Sequence, residues 1–221
     1  MIAREGMLPI SVAGIAGAVT VHYAGILWSL PLWALAAYLL YLFRETIPDV
    51  PNLPLAVLSP GDGRVLNVSS KPDPYLERDA HRVRIVLGGL GIGVLRSPIE
   101  GKVMNYWTSA QPFNRPGASS APGGSPNCYS VQVRTDEGDD VVLAVSSLRP
   151  ISRFKLYAAP GERVGIGQRI GFLYFGNVVD VFMPSSAAPE TRAGAGAEAG
   201  CTVLGRLEAV AARPGSATRV S

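Results

Sequence analysis

Residues 171–184 read GFLYFGNVVDVFMP, and this stretch carries the strongest fold signal in the chain. Two apolar runs of strand length, 169–175 and 178–183, flank Gly176-Asn177, which has the composition of a turn. Because no window after Arg44 shows convincing helical periodicity, we predict a mainly β protein beyond that residue. The other predicted strands are 64–68, 81–87, 102–107, 129–134, 141–145 and 152–158.

A nine-residue pattern, S-P-x-x-G-[KR]-V-[LM]-N, occurs twice, at 59–67 and 97–105. Each copy predicts a turn that leads into a strand, so we expect equivalent corners of one barrel-like sheet. Residues 159–171 resemble the hammerhead corner of lipoyl- and biotinyl-type barrel-sandwich domains, and a looser copy follows Gly200. No lysine stands in a suitable hairpin, so this resemblance predicts a fold and not a swinging cofactor arm.

The N-terminal part is an apolar segment, because residues 6–43 contain no Asp, Glu, Lys or Arg. This run is nearly long enough for two membrane crossings. We predict a helical membrane hairpin that breaks near 20–25 or 29–31. Arg4 and Arg44 flank it, which places both ends, and the soluble part, on the cytoplasmic face of the inner or plasma membrane. A cleaved signal peptide is the alternative, but the run is too long for one.

Composition excludes several classes of protein. Of 221 residues, 48% are hydrophobic and 17% are charged, which excludes a disordered chain. The net charge of +3 comes with scattered arginines, so no nucleic-acid partner is expected. The two cysteines are interpreted as reduced thiols, and the two histidines leave no histidine metal site. A homo-oligomer is compatible with the sequence.

The predicted domains are a membrane segment at 1–45, a proline-rich linker at 46–58, a β domain at 59–210 and a disordered tail at 211–221. Two stretches of small residues, 117–124 and 187–200, predict mobile loops.

The order of four motifs resembles the short, membrane-anchored phosphatidylserine decarboxylases. These motifs are YLFRE at 41–45, SPGDGRV at 59–65, VLRSPIEGKV at 94–103 and the stretch at 171–184. The resemblance implies the decarboxylase β fold and a phospholipid partner. In that family the chain breaks between a Gly and a Ser, and the serine becomes a pyruvoyl group that acts as the electron sink for decarboxylation. An Asp and a His support the activation of the serine.

Two of these family positions hold residues that lack the family's chemistry. Asp62 occupies the Asp position, but Gly93 falls where the family has His, and Gly176-Asn177 falls where it has Gly-Ser. Asparagine has no hydroxyl for the self-processing step, so no cofactor and no metal are expected. Arg96 is interpreted either as a sheet-edge cation or as a residual contact to a substrate phosphate.

Three functions remain open. The first is a non-catalytic decarboxylase relative that binds lipid or acts as a scaffold. The second is an active phosphatidylserine decarboxylase with a pyruvoyl group, which would need another nucleophile among Ser146, Ser147, Ser185 and Ser186. The third is a membrane adaptor of the barrel-sandwich type.

Overall fold

The computed structural model describes residues 4–43, 50–51, 53–88, 93–109, 128–146, 153–174 and 178–208. The chain divides into two compact units, Met1–Ile47 and Pro48–Ser221. The predicted loop at 117–124 and the predicted tail at 211–221 lie outside the described residues.

The first unit is helical, and the described part of the second unit is built from strands. The helices are α1 (Arg4–Ala24) and α2 (Ile26–Leu42). The strands are β1 (Ala56–Leu58), β2 (Gly63–Asp73), β3 (Arg78–Leu87), β4 (Gly93–Arg96), β5 (Gly101–Ser109), β6 (Cys128–Arg134), β7 (Asp140–Ser146), β8 (Arg153–Leu156), β9 (Arg163–Val164), β10 (Arg169–Tyr174), β11 (Val178–Pro184), β12 (Ala188–Pro189), β13 (Gly196–Ala197) and β14 (Val203–Arg206).

The two helices pack against each other as a hairpin. Gly25 separates them with a φ of 86°, a left-handed conformation that glycine adopts without strain. The break lies inside the predicted range. Close packing comes from small residues, and the ring of Trp33 approaches to 3.3 Å of the position that a Cβ of Gly17 would occupy. The segment Met7–Ala24 is long and apolar enough to cross a membrane, whereas the apolar part of α2 is shorter.

The largest sheet of the β unit has eight antiparallel strands in the order β13-β2-β3-β11-β7-β6-β5-β9 and curls into a half-barrel. Its central strands are buried on both faces. One face is apolar, and the other also contains the buried polar residues Ser130, Gln132 and Asp180. Val131, Leu143 and Val181 belong to the main core on one face. Val142 and Phe182 belong to a smaller cluster on the opposite face.

Two three-stranded sheets complete the unit, in the orders β1-β14-β12 and β4-β10-β8. All eight strands predicted from the sequence are present. The strands that the sequence analysis missed are short: β1, β4, β9, β12, β13 and β14. The described part of the β unit contains no helix, so the long helical hairpin that an adaptor of the barrel-sandwich type would insert is not seen there.

The repeated pattern forms equivalent corners, as predicted. The Ser59 hydroxyl donates to the carbonyl of Gly61 (2.8 Å), and the Ser97 hydroxyl donates to the carbonyl of Ile99 (2.6 Å). The fifth residue of each copy is the glycine that begins β2 or β5. Each of these strands has a register shift two residues later, before the asparagine that ends the pattern.

The hammerhead corner is also duplicated. Gly161 donates to the carbonyl of Val103, and Gly194 donates to the equivalent carbonyl of Val65. This duplication overturns the prediction of a mobile loop at 187–200. That segment contains β12 and β13, because its backbone groups are held by hydrogen bonds such as Glu190 N to Leu204 O (3.0 Å).

Candidate active site

The structure brings two of the family positions, Asp62 and Gly93, to one small pocket of about 40 Å³. The two residues are 31 positions apart and lie on different sheets. The pocket is lined by Gly61, Asp62, Leu87, Gly88, Gly93, Val94, Leu95 and Leu173. Its apolar walls are leucines of the strand ends, so Asp62 is the titratable side chain of the lining.

Asp62 and Gly93 meet because each lies at the beginning of a strand. Asp62 immediately precedes β2, whose first residue, Gly63, pairs with Leu87 at the end of β3. Gly93 begins β4 and pairs with Leu173 in β10. The pocket therefore lies where one end of the large sheet meets one end of the β4-β10-β8 sheet.

The cleavage position of the family, Gly176-Asn177, lies outside the described residues. The strands on either side of it are described. β10 ends at Tyr174, one residue after a wall of the pocket, and β11 begins at Val178, which pairs with Val86 beside Leu87. Leu173 of the first flank lines the pocket of Asp62 and Gly93, and Val178 of the second flank pairs with the residue next to another lining residue, Leu87.

The carboxylate of Asp62 is exposed and has a structural partner. Its Oδ1 accepts a hydrogen bond from the backbone N–H of Ala199 at 2.8 Å. At Gly93, an added Cβ would meet no atom within 4 Å. The position that the resemblance predicts to correspond to the family's histidine therefore has room for a side chain.

Arg96 lies next to the pocket wall, in β4, and is buried. Its guanidinium donates to the backbone carbonyl of Gly167 at 3.1 Å, and Gly167 belongs to the hammerhead corner. This bond gives Arg96 a structural function. A contact to a phospholipid phosphate stays a prediction.

The only histidine of the β unit does not reach the pocket. His81 lies six residues from Leu87 along β3, a distance of about 20 Å at the usual rise of a strand. Its Nδ1 lies 3.1 Å from the hydroxyl of Ser70. Among the described residues, no three His, Cys, Asp or Glu side chains are grouped to hold a metal ion.

The sequence analysis missed an ion pair beside the cleavage position. Asp180 is the third residue of β11, and its two oxygens accept hydrogen bonds from Nε and Nη2 of Arg84, both at 2.7 Å. These bonds raise the pKa of Arg84. The sequence did contain a signal for this pair, which is the single aspartate in the otherwise apolar run after Asn177. A carboxylate in a buried strand needs a partner, so an ion pair could have been predicted.

A larger groove lies elsewhere on the unit. Its volume is about 830 Å³, and its lining includes Val50, Pro51, residues 53–56, Leu207 and three acidic residues, Glu100, Asp136 and Glu137. Asp136 and Glu137 belong to the turn between β6 and β7. Neither Asp62 nor Gly93 lines this groove.

Comparison with known proteins identifies the family. The chain is 34% identical over 206 residues to a phosphatidylserine decarboxylase proenzyme of Nitrosomonas eutropha, covering 92% of this chain and 94% of the relative. It is 38% identical over 186 residues to that of Nitrosomonas europaea, covering 83% and 85%. The proenzyme of Aromatoleum aromaticum is 30% identical over 207 residues, covering 94% and 96%.

No family model matches the chain, and no solved structure does. The similarity to the proenzymes nevertheless extends over both units, from the apolar N-terminal segment through the strands that surround the pocket. The chain therefore belongs to the phosphatidylserine decarboxylase family.

Proposed function

We propose that this chain is a family member that does not cut itself, forms no pyruvoyl group and acts at the membrane as a non-catalytic phospholipid-binding protein. One observation carries the proposal. Asn177 and Gly93 stand where the resemblance places the serine and the histidine. Arg96, Pro98 and most fixed positions of 171–184 still match the family, although Leu95 stands where the family has Asn. The room at Gly93 and the absence of any other titratable group in the pocket lining support it.

The chemistry of self-processing requires the missing hydroxyl. In the family, the serine oxygen bonds to the preceding carbonyl carbon while the peptide C–N bond breaks, and the resulting ester is then eliminated. Asn177 carries a carboxamide on its Cβ, which cannot supply the oxygen that leaves in the elimination. Gly93 supplies no proton acceptor. The residues present therefore do not fit formation of the pyruvoyl group.

The active-enzyme alternative depends on another serine. Ser146 ends β7 and pairs with Val178, the residue that follows Asn177 in the sequence, whereas Ser185 and Ser186 follow the far end of β11. Ser147 lies outside the described residues. If Ser146 attacked instead, the ester would link the Ser146 side chain, in β7, to the carbonyl carbon of Gly176. Its elimination would leave no carbonyl group at the N-terminus of the second fragment.

The mass of the purified full chain tests the proposal. Cutting before Asn177 would give fragments of 176 and 45 residues, so we expect one species at the full 23.3 kDa and no mass change with borohydride. The double variant Asn177→Ser with Gly93→His should gain slow cutting, and Asn177→Ser alone is its matched control. Two fragments from the unaltered chain would show that it processes itself.

The proposed location is the cytoplasmic face of the membrane. The charge-free segment between Arg4 and Arg44 supports this orientation through the positive-inside rule. Cys201 is the better probe, because both cysteines are free but Cys128 is buried. An impermeant thiol reagent should label Cys201 only after the cells are permeabilised. Labelling of Cys201 in intact cells would show that the β unit lies on the opposite side of the membrane.

A further inference from the structure

Arg82 is a buried cation without a protein counterion of its own. It lies in the middle of β3 and is 4% exposed. Its Nε is fully buried and has no hydrogen-bond acceptor, and no described side chain forms an ion pair with it. Buried charges in proteins are normally paired or bound to an ion, so this guanidinium lacks an expected partner.

The neighbouring carboxylate is already engaged. Asp180 uses both of its oxygens to accept hydrogen bonds from Arg84, which is two residues from Arg82 on the same face of β3. Burial lowers the pKa of Arg82, the charge of Asp180 opposes this effect, and the charge of Arg84 adds to it. Two guanidiniums therefore share one carboxylate, which leaves an excess of one positive charge.

A second unsatisfied group lies directly across the ladder. Ser69 of β2 pairs with Arg82, and its hydroxyl oxygen is also buried without a hydrogen-bond partner. Side chains that are paired across two strands project from the same face of the sheet. A hydroxyl and a guanidinium side by side, with surplus positive charge, form the donor set that binds an oxyanion.

We propose that Ser69 and Arg82 form an oxyanion site for a phosphate ester, with the Ser69 hydroxyl and the Arg82 guanidinium as its donors. The site is separate from the pocket of Asp62. Leu87, which lines that pocket, projects from the core face of β3 at its far end, whereas Arg82 projects from the opposite face. If the ligand of this site is a phospholipid headgroup, the proposal rests on the phospholipid-binding role proposed above. If the ligand is free phosphate, the proposal does not depend on that role.

Thermal unfolding of the full chain in maltoside micelles tests the site. The probes are inorganic phosphate and dihexanoylphosphatidylglycerol, each compared with chloride at equal ionic strength. We expect phosphate to raise the Tm by at least about 2 °C, because a ligand that binds only the folded state stabilises it. Arg82→Met should abolish the shift, and Ser69→Ala should weaken phosphate binding about tenfold.

The matched controls are Arg64→Met and Ser70→Ala, which change exposed residues of β2 and should keep the full shift. In chloride alone, Arg82→Met should unfold at the same temperature as the unaltered chain or higher, because it removes a buried guanidinium that has only a share of the Asp180 carboxylate. If Arg82→Met does not fold, the Ser69→Ala titration still decides the result.

The two ligands separate the site from the phospholipid role. A shift with phosphate but not with the lipid supports the oxyanion site and contradicts the phospholipid role. A lipid shift that depends on Arg82 supports both, with or without a response to free phosphate. A lipid shift that survives Arg82→Met, or the absence of any shift, would overturn the site.

Discussion

Replacing Asp180 with alanine should destabilise the β unit more than replacing its partner Arg84 with methionine. The carboxylate accepts two short hydrogen bonds from Arg84, and its charge also favours the charged form of Arg82. Asp180→Ala therefore leaves two neighbouring guanidiniums without this carboxylate. Arg84→Met leaves the Asp180 carboxylate close to the Arg82 guanidinium, whose positive charge still compensates the negative charge of Asp180.

The expected magnitudes follow from burial. Removing one partner of a fully buried pair costs about 3–5 kcal/mol. The side chain of Arg84 is 27% exposed and that of Asp180 is 9% exposed, so the lower end of this range applies. We expect about 3 kcal/mol for Asp180→Ala and about 2 kcal/mol for Arg84→Met. The double variant should cost about 3 kcal/mol, which gives a coupling energy of about 2 kcal/mol.

Urea unfolding of the full chain, followed by the circular dichroism of the β-sheet, measures the three free energies. The control cycle uses Arg206 and Glu190, an exposed pair whose side chains are 48% and 41% exposed. Its coupling energy should lie below about 1 kcal/mol. Additive costs for Asp180 and Arg84, or a larger cost for Arg84→Met than for Asp180→Ala, would refute the interpretation of a carboxylate shared by two arginines.

Three further predictions concern other parts of the β unit. Gly101→Ala should cost at least about 2 kcal/mol in urea unfolding, because its Cβ would overlap a carbonyl of β6, whereas the open position of Gly196 should accept alanine within about 0.5 kcal/mol. Burial raises the pKa of Asp73 above 3.8, so the unfolded chain loses this proton first as the pH rises. The unfolding free energy should therefore fall from pH 3.8 until the folded carboxyl has ionised, and Asp73→Asn should remove this fall. A soluble thiol reagent should modify Cys201 of the native chain much faster than Cys128, which is 3% exposed, and equal rates would contradict the described burial.

The strands could be predicted from the sequence because their signals are local. Apolar runs such as 141–145 end at turn residues, and the two S-P-x-x-G corners repeat the same contacts in the structure. β4 was not predicted because it has only four residues and begins at the last glycine of the glycine-rich stretch at 88–93. A short strand of this kind is stabilised by its neighbours rather than by its own propensity.

The arrangement of the site could be predicted only in part. Motif order identified Asp62 and Gly93 as family positions, but their common pocket depends on how two sheets meet, which no local pattern encodes. The pair of Arg84 and Asp180 joins residues 96 positions apart. The unsatisfied groups of Ser69 and Arg82 depend on the register of β2 with β3, and the register shift after Val65 determines which side chains share a face.

Retention of Asp62 does not by itself argue for catalysis. In the duplicated corner, Glu100 occupies the equivalent position, next to the glycine that begins β5, so both corners carry an acidic residue there. Asp62 accepts the backbone N–H of Ala199, which ties this corner to the second copy of the hammerhead. That bond requires neither a serine at position 177 nor a histidine at position 93. The structure therefore gives Asp62 a contact within the corner that does not depend on the residues at positions 93 and 177.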